Sequence, residues 1–122
     1  MKSLFVLFTT FITLGATGQV INFPDANLKN ALVNHKKVID SNGDGEIQQQ
    51  EAMAFTQALS ITGKSIVRLS GLEYFINADT LYAGFNVITS ANFDKMPWLR
   101  HLDISSNNSL LSINLKGLIK FK

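Results

Sequence analysis

The chain has 122 residues, 46% hydrophobic and 16% charged, with no cysteine and a formal net charge of +2. That length supports one small core, and the hydrophobic share is too high for a disordered tail. The missing cysteines exclude disulfide scaffolds, thiol chemistry and zinc knuckles, and eleven basic against nine acidic residues, with no basic run among aromatics, exclude a nucleic-acid footprint.

The first element is an address. Met1-Lys2-Ser3 and the apolar run from Leu4 to Leu14 have the charged start and hydrophobic stretch of a signal peptide. A membrane-spanning helix needs about 20 apolar residues, more than this run supplies. Ala16 and Gly18 provide small residues at the −3 and −1 positions, so cleavage is expected between Gly18 and Gln19. Residues 1–18 are therefore expected to be removed, leaving a secreted or cell-surface chain with no membrane span.

Pro24-Asp25 opens a helical pattern, with proline near the first turn and a negative charge where a helix N-terminus favours it. Leu28, Ala31, Leu32, His35, Val38 and Ile39 recur at three- and four-residue steps, which predicts one apolar stripe over about four turns. His35 lies on that stripe with no second ligand at metal-binding spacing, and reads as a core-edge residue.

Next comes Asp40-Ser41-Asn42-Gly43-Asp44-Gly45-Glu46-Ile47-Gln48-Gln49-Gln50-Glu51, which fits the twelve-residue calcium loop at each constrained position. A hard divalent ion needs six to eight oxygens, and a short loop aims them inward only if alternate residues contribute. Asp40, Asn42 and Asp44 are the expected side-chain ligands, Glu46 a backbone ligand, Gln48 a water or amide contact, and Glu51 a two-oxygen ligand from the start of the next helix. Gly45 allows the sharp turn, and Ile47 points into the core. The following helix is expected to place Ala52, Phe55 and Leu59 on one face. Four acidic side chains with no lysine or arginine among them repel one another without a cation, so Ca2+ is the expected cofactor. The loop resembles the EF-hand, and with asparagine at its third position it is also similar to a dockerin repeat. Both families work with paired loops and this chain has one, which implies a structural ion rather than a switch.

From Leu59 the pattern becomes periodic. Leu59-Ser60-Ile61-Thr62-Gly63-Lys64, Leu81-Tyr82-Ala83-Gly84-Phe85-Asn86 and Leu102-Asp103-Ile104-Ser105-Ser106-Asn107 align at spacings of 22 and 21 residues, within the leucine-rich-repeat period. Leu99 completes the L-x-x-L-x-L-x-x-N element of the third unit. Lys64 takes the asparagine place of the first unit, and Ala78 the upstream leucine place of the second. Ser70-Gly71-Leu72-Glu73-Tyr74-Phe75 and Asn92-Phe93-Asp94-Lys95-Met96-Pro97 are expected to form short convex segments, as single helical turns. Leu110, Ile113 and Leu115 continue the inward series, and Leu118 with Phe121 starts another strand before the sequence stops, without a polar cap over the last repeat. From Phe23-Pro24-Asp25 to Asn107 the chain resembles bacterial secreted leucine-rich-repeat proteins, internalin-like in their helical N-terminal cap, of the type common in Bacteroidota.

The expected fold is α/β: a helical, EF-hand-like N-terminal cap over 19–58 containing the calcium loop 40–51, then a short leucine-rich-repeat solenoid of parallel strands over 59–122. It has about three repeats, the last incomplete, and no C-terminal cap, which allows association through the open last repeat. No catalytic constellation, phosphate loop or nucleophile elbow is present, so the chain reads as non-enzymatic. The resemblance implies a concave strand face that recognises an extracellular protein or glycan. Strand alternation sends Ser60, Thr62, Tyr82, Gly84, His101, Asp103 and Ser105 outward there, with Tyr82, His101 and Asp103 as candidate contacts and Tyr82 as the aromatic anchor. Other readings are an orphan EF-hand or dockerin-like calcium tether, and the N-terminal fragment of a larger surface protein or enzyme.

Overall fold

A computed structural model describes residues 18–118. The predicted signal peptide up to residue 17, and Phe121 of the last predicted strand, lie outside the described residues.

The first helix, α1, spans Ala26–Val33 and buries Leu28, Ala31 and Leu32. Asp25 caps it: one carboxylate oxygen, Oδ1, accepts the amides of Asn27 at 2.9 Å and Leu28 at 3.4 Å. The helix is two turns long, not the four the stripe predicts. Asn34 ends it by turning both its amide and its side-chain Nδ2 onto the Asn30 carbonyl, and His35 then bonds the Lys37 carbonyl through Nδ1. These local bonds compete with further helix. They leave Val38 74% exposed while Ile39 stays buried. The second helix, α2, is also shorter than predicted, spanning Gln49–Ala54. Phe55 adopts extended backbone and ends it, so Leu59 opens a strand instead of closing a helical face.

Five short strands follow: β1 (Leu59–Ser60), β2 (Thr80–Tyr82), β3 (Ser90–Asn92), β4 (His101–Asp103) and β5 (Ser112–Asn114). β1, β2 and β4 form one parallel sheet in that order, with Leu59 paired to Leu81 and Leu81 to Leu102. The register reproduces the 22- and 21-residue spacings of the sequence. Leu59, Ile61, Leu81 and Ala83 are fully buried behind this sheet, and Leu102 and Ile104 are half-buried at its far side.

The other side of each coil differs from expectation. A 3-10 turn at Leu72–Tyr74 is the helical turn predicted there. Residues 90–92, however, form β3, which pairs in parallel with β5, Ser90 to Ser112 and Asn92 to Asn114. The ladder extends at both ends, since the Leu111 amide donates to the Thr89 carbonyl and the Phe93 amide to the Asn114 carbonyl. Small residues at Ser90, Ala91 and Ser112 let the two backbones approach, and the Asn114 side chain donates to that of Asn92 at 3.1 Å. The predicted inward series also changes here: Leu110 is half-buried, while Ile113 and Leu115 are 39% and 46% exposed. β5 pairs with β3 on one side, and among the described residues no strand pairs with its other edge.

Two buried asparagines fasten successive coils. Asn86 Nδ2 donates to the carbonyls of Ile61, Ala83 and Gly84, and its Oδ1 accepts the amides of Lys64 and Ile66. Asn107 repeats the device one coil later, donating to Ala83, Ile104 and Ser105 and accepting from the Ile88 amide. An asparagine can do this because it carries two donors and an acceptor on one short side chain.

The helical segment is fixed to the repeats by polar bonds as well as by a shared core. The second Asp25 oxygen, Oδ2, accepts the amides of Val67 at 2.6 Å and Arg68 at 3.0 Å, and Asn27 donates to the Ser65 carbonyl. Asn77 donates back to the Met53 carbonyl. Partial burial acts to raise the Asp25 pKa, but the amides of Arg68, Val67, Asn27 and Leu28 outweigh it and hold the carboxyl below 3.8. A carboxyl depressed in the folded state contributes stability above its unfolded pKa, and that contribution is lost as pH falls through the folded value. Asp25→Asn keeps a helix-capping acceptor but presents an NH2 group to the Val67 and Arg68 amides. It is expected to cost about 1–3 kcal/mol at pH 6. Melting curves of both proteins should converge as pH falls below the ordinary carboxylate range and through the lowered Asp25 value; a gap that stays constant to pH 2.5 would refute this role.

Candidate functional site

The loop at 40–51 is wound around its own acidic side chains. Asp40 Oδ1 accepts the amides of Gly43 at 2.9 Å and Asp44 at 3.2 Å, and its Oδ2 accepts that of Gly45 at 2.9 Å. Asn42 accepts from Asp44 and Asp44 from Glu46, each two residues on. Gly43 and Gly45 take positive φ, 70° and 80°, which allows the chain to turn this tightly. Glu51 closes the circle: Oε2 accepts the amides of Ser41 and Asn42, and Oε1 accepts that of Gln48. The Gln48 side chain donates to Asp44 at 2.7 Å and accepts from Asn42 at 3.2 Å. All six predicted ligand positions thus lie in one small ring, with Ile47 fully buried beneath it.

The loop's charge is partly balanced from outside. Lys29 of α1 pairs with Glu46 at 2.6 Å, a partner that the count of residues inside the loop did not include. Hydrogen bonds from the Glu46 amide and from Gln48 and Asn42 lower the Asp44 pKa. Among the described residues no group of three or more His, Asp or Glu side chains is gathered as if around a metal ion. Asp40 and Glu51 instead spend their oxygens on backbone amides.

Residues 19–21 pair along one edge of the loop. The Ile21 amide donates to the Ile47 carbonyl and the Gln49 amide to the Gln19 carbonyl, an antiparallel bridge centred on Val20 and Gln48. The sequence gives no sign of this, since Val20 and Ile21 form no extended pattern.

On the sheet of β1, β2 and β4, Ser60, Thr62, Tyr82, His101, Asp103 and Ser105 are exposed as predicted. Tyr82 is 44% exposed and stands in register with Asp103, while His101 pairs with Thr80. Gly84 departs from the expected outward set. It is buried, because the Asp103 carboxylate and the Ser105 carbonyl and hydroxyl lie over it. Ser105 donates to Asp103 through both hydroxyl and amide, at 2.6 and 2.9 Å, which lowers the Asp103 pKa.

His35 is buried as expected of a core-edge residue, and it has a further role. Its Nε2 accepts the Ser60 amide of β1 at 2.9 Å, which places the ring proton on Nδ1, facing the Lys37 carbonyl. The ring meets Phe55 edge-on at 5.4 Å, and Phe55 meets Phe75 in the same way at 6.1 Å.

No family model matches the chain, and no curated protein matches it. Solved structures do. Two structures from Clostridium perfringens ZmpB, each containing its CBM51-2 and INT domains and one of them in complex with GlcNAc, are both 26% identical. They cover 70% and 73% of this chain at TM-scores of 0.57 and 0.51. An internalin, InlF of Listeria monocytogenes, is 22% identical over 75% of this chain at a TM-score of 0.51. The chain spans 17% of the ZmpB chains and 29% of the internalin. The mixed helical and parallel-strand fold is thus similar to that of an internalin, a bacterial leucine-rich-repeat protein. No helix among the described residues is long and apolar enough to cross a membrane.

Proposed function

We propose that the chain is a non-enzymatic leucine-rich-repeat module of a secreted or surface protein, stabilised by calcium in the loop 40–51, whose concave face recognises an extracellular protein or glycan. The observation that carries this reading is the parallel sheet of β1, β2 and β4, which presents Ser60, Tyr82, His101 and Asp103 on one exposed face above a leucine-lined core. The likeness to an internalin and to chains of carbohydrate-binding and INT domains supports it. A calcium tether acting alone is the less favoured reading, because α1 depends on the repeats for the partners of Asp25, Asn27 and His35.

The donor chemistry of the loop fits calcium. Asp40, Asn42, Asp44, Gln48 and Glu51 each carry a carboxylate or carboxamide oxygen, and the Glu46 carbonyl has no hydrogen-bond partner among the described residues. When bound, the ion supplies charge neutralisation and a fixed loop. The protein's part is to hold the loop closed beforehand through Glu51. An extracellular-type site with a Kd of about 10⁻⁴ M in 10 mM calcium is expected to add about 2.7 kcal/mol, read as a melting shift against a chelator control. Glu51→Gln should abolish most of that shift and also lower the chelator melting temperature, because its NH2 group replaces an oxygen that accepts backbone amides. A wild-type curve unmoved by calcium would refute the site.

A further inference from the structure

An open groove of about 850 Å³ runs between the end of α1 and the strands β1 and β2. Its chemistry is one-sided. Lys36, Lys37 and Lys64 line it and no Asp or Glu does. Among the described residues none of the three lysines is in an ion pair, since the pair found joins Lys29 and Glu46 elsewhere. Asn30, Asn34 and Gln57 add carboxamides, and Tyr82, 44% exposed as a residue, forms the aromatic wall.

Lys64 gives the groove its logic. In the next two coils the matching positions are Asn86 and Asn107, whose side chains turn inward to fasten the backbone. Those asparagines donate to carbonyls of the coil before them, and β1, at the edge of its sheet, has no repeat strand before it for such a side chain to fasten. The departure from the repeat thus sets an ammonium free at the groove, where a regular asparagine would leave none.

The same surface disfavours an added peptide strand. Strand addition needs a free backbone donor at the sheet edge, and on β1 the Ser60 amide is already taken by His35. We propose that the groove binds an acidic oligosaccharide, with a sugar ring stacked on Tyr82 and carboxylate or sulfate groups at Lys36, Lys37 and Lys64. Carboxamides suit paired hydroxyls, an exposed aromatic ring suits the C–H face of a pyranose, and unpaired ammoniums supply the charge selection. Asp103, next to Tyr82 in register, bounds the basic zone on the β4 side. The proposal rests on the reading of this face as a ligand surface and narrows it.

The test measures equilibrium binding of the intact chain to trigalacturonic acid, a heparin tetrasaccharide, neutral maltotriose and pentaglutamate. Binding of either acidic sugar at least tenfold tighter than maltotriose and pentaglutamate is expected, with trigalacturonate or heparin identifying carboxylate or sulfate as the preferred group. The triple change Lys36→Gln, Lys37→Gln, Lys64→Gln and the single change Tyr82→Ala should each reduce it at least tenfold without altering the melting curve. Equal affinity for pentaglutamate, indifference to Tyr82→Ala, or no binding of either acidic sugar overturns the groove. Maltotriose binding that survives the triple lysine change and is lost in Asp103→Ala also overturns it, yet leaves the concave-face reading standing.

Discussion

Replacing Asn86 by alanine is expected to lower stability by about 3–5 kcal/mol, because it strips partners from several buried backbone groups in one step. The side chain sits 5% exposed between two coils. It accepts from Lys64 at 2.8 Å and Ile66 at 3.1 Å, and donates to Ile61 and Ala83 at 3.0 Å and Gly84 at 3.2 Å. Two of these groups belong to the turn that leads out of β1, so the loss separates the first coil from the second. Asn86→Asp should be no better, since a carboxylate oxygen would replace the NH2 group that faces three carbonyls. Asn107→Ala should cost less, because one amide, that of Ile88, depends on its Oδ1. Urea midpoints order the variants, and an Asn86→Ala midpoint equal to wild type would show that water replaces the side chain.

What could be read beforehand follows from the range of the interactions involved. The three concave strands and their register were legible because leucines at 59, 81 and 102 alternate with polar residues and recur at the repeat period, so one short pattern fixes pairing. The loop was legible because its turns are made by Asp40, Asn42 and Asp44 with residues two to five positions on. The helix lengths were not. Apolar residues continue past Val33 at helical spacing, but Asn34 and His35 terminate α1 through bonds that hydrophobic periodicity does not register. The β3–β5 sheet escaped for a related reason: Ser90, Ala91 and Ser112 are too small to leave a hydrophobic signature, and the pairing shows only when strands 22 residues apart are aligned. Asp25 was legible as a cap, yet its other oxygen reaches Val67, 42 residues away. Lys64 fits the repeat poorly, and in the structure it is one of the residues that line the groove.

Gly71→Ala is expected to produce the other large loss, about 2–5 kcal/mol when backbone strain of about 1–2 is combined with overpacking of about 1–3. Gly71 holds φ at 110°, a conformation that L side chains rarely adopt, and a methyl group there would overlap Cδ1 and Cε1 of Phe23. Phe23 is itself 7% exposed in the core, so its ring has little room to retreat. The contact joins the segment ahead of α1 to the turn before Leu72–Tyr74, and thereby sets how α1 stands against the repeats. Strain and overlap can be separated by a double-mutant cycle. Phe23→Leu shortens the ring's reach, so in its background Gly71→Ala should recover the overlap component and retain the backbone one. Chemical denaturation of the four proteins reads the coupling. Strict additivity would mean that Phe23 does not pack on Gly71, and that the orientation of α1, and with it the groove at Lys36, Lys37 and Lys64, is fixed by the Asp25 and His35 bonds alone.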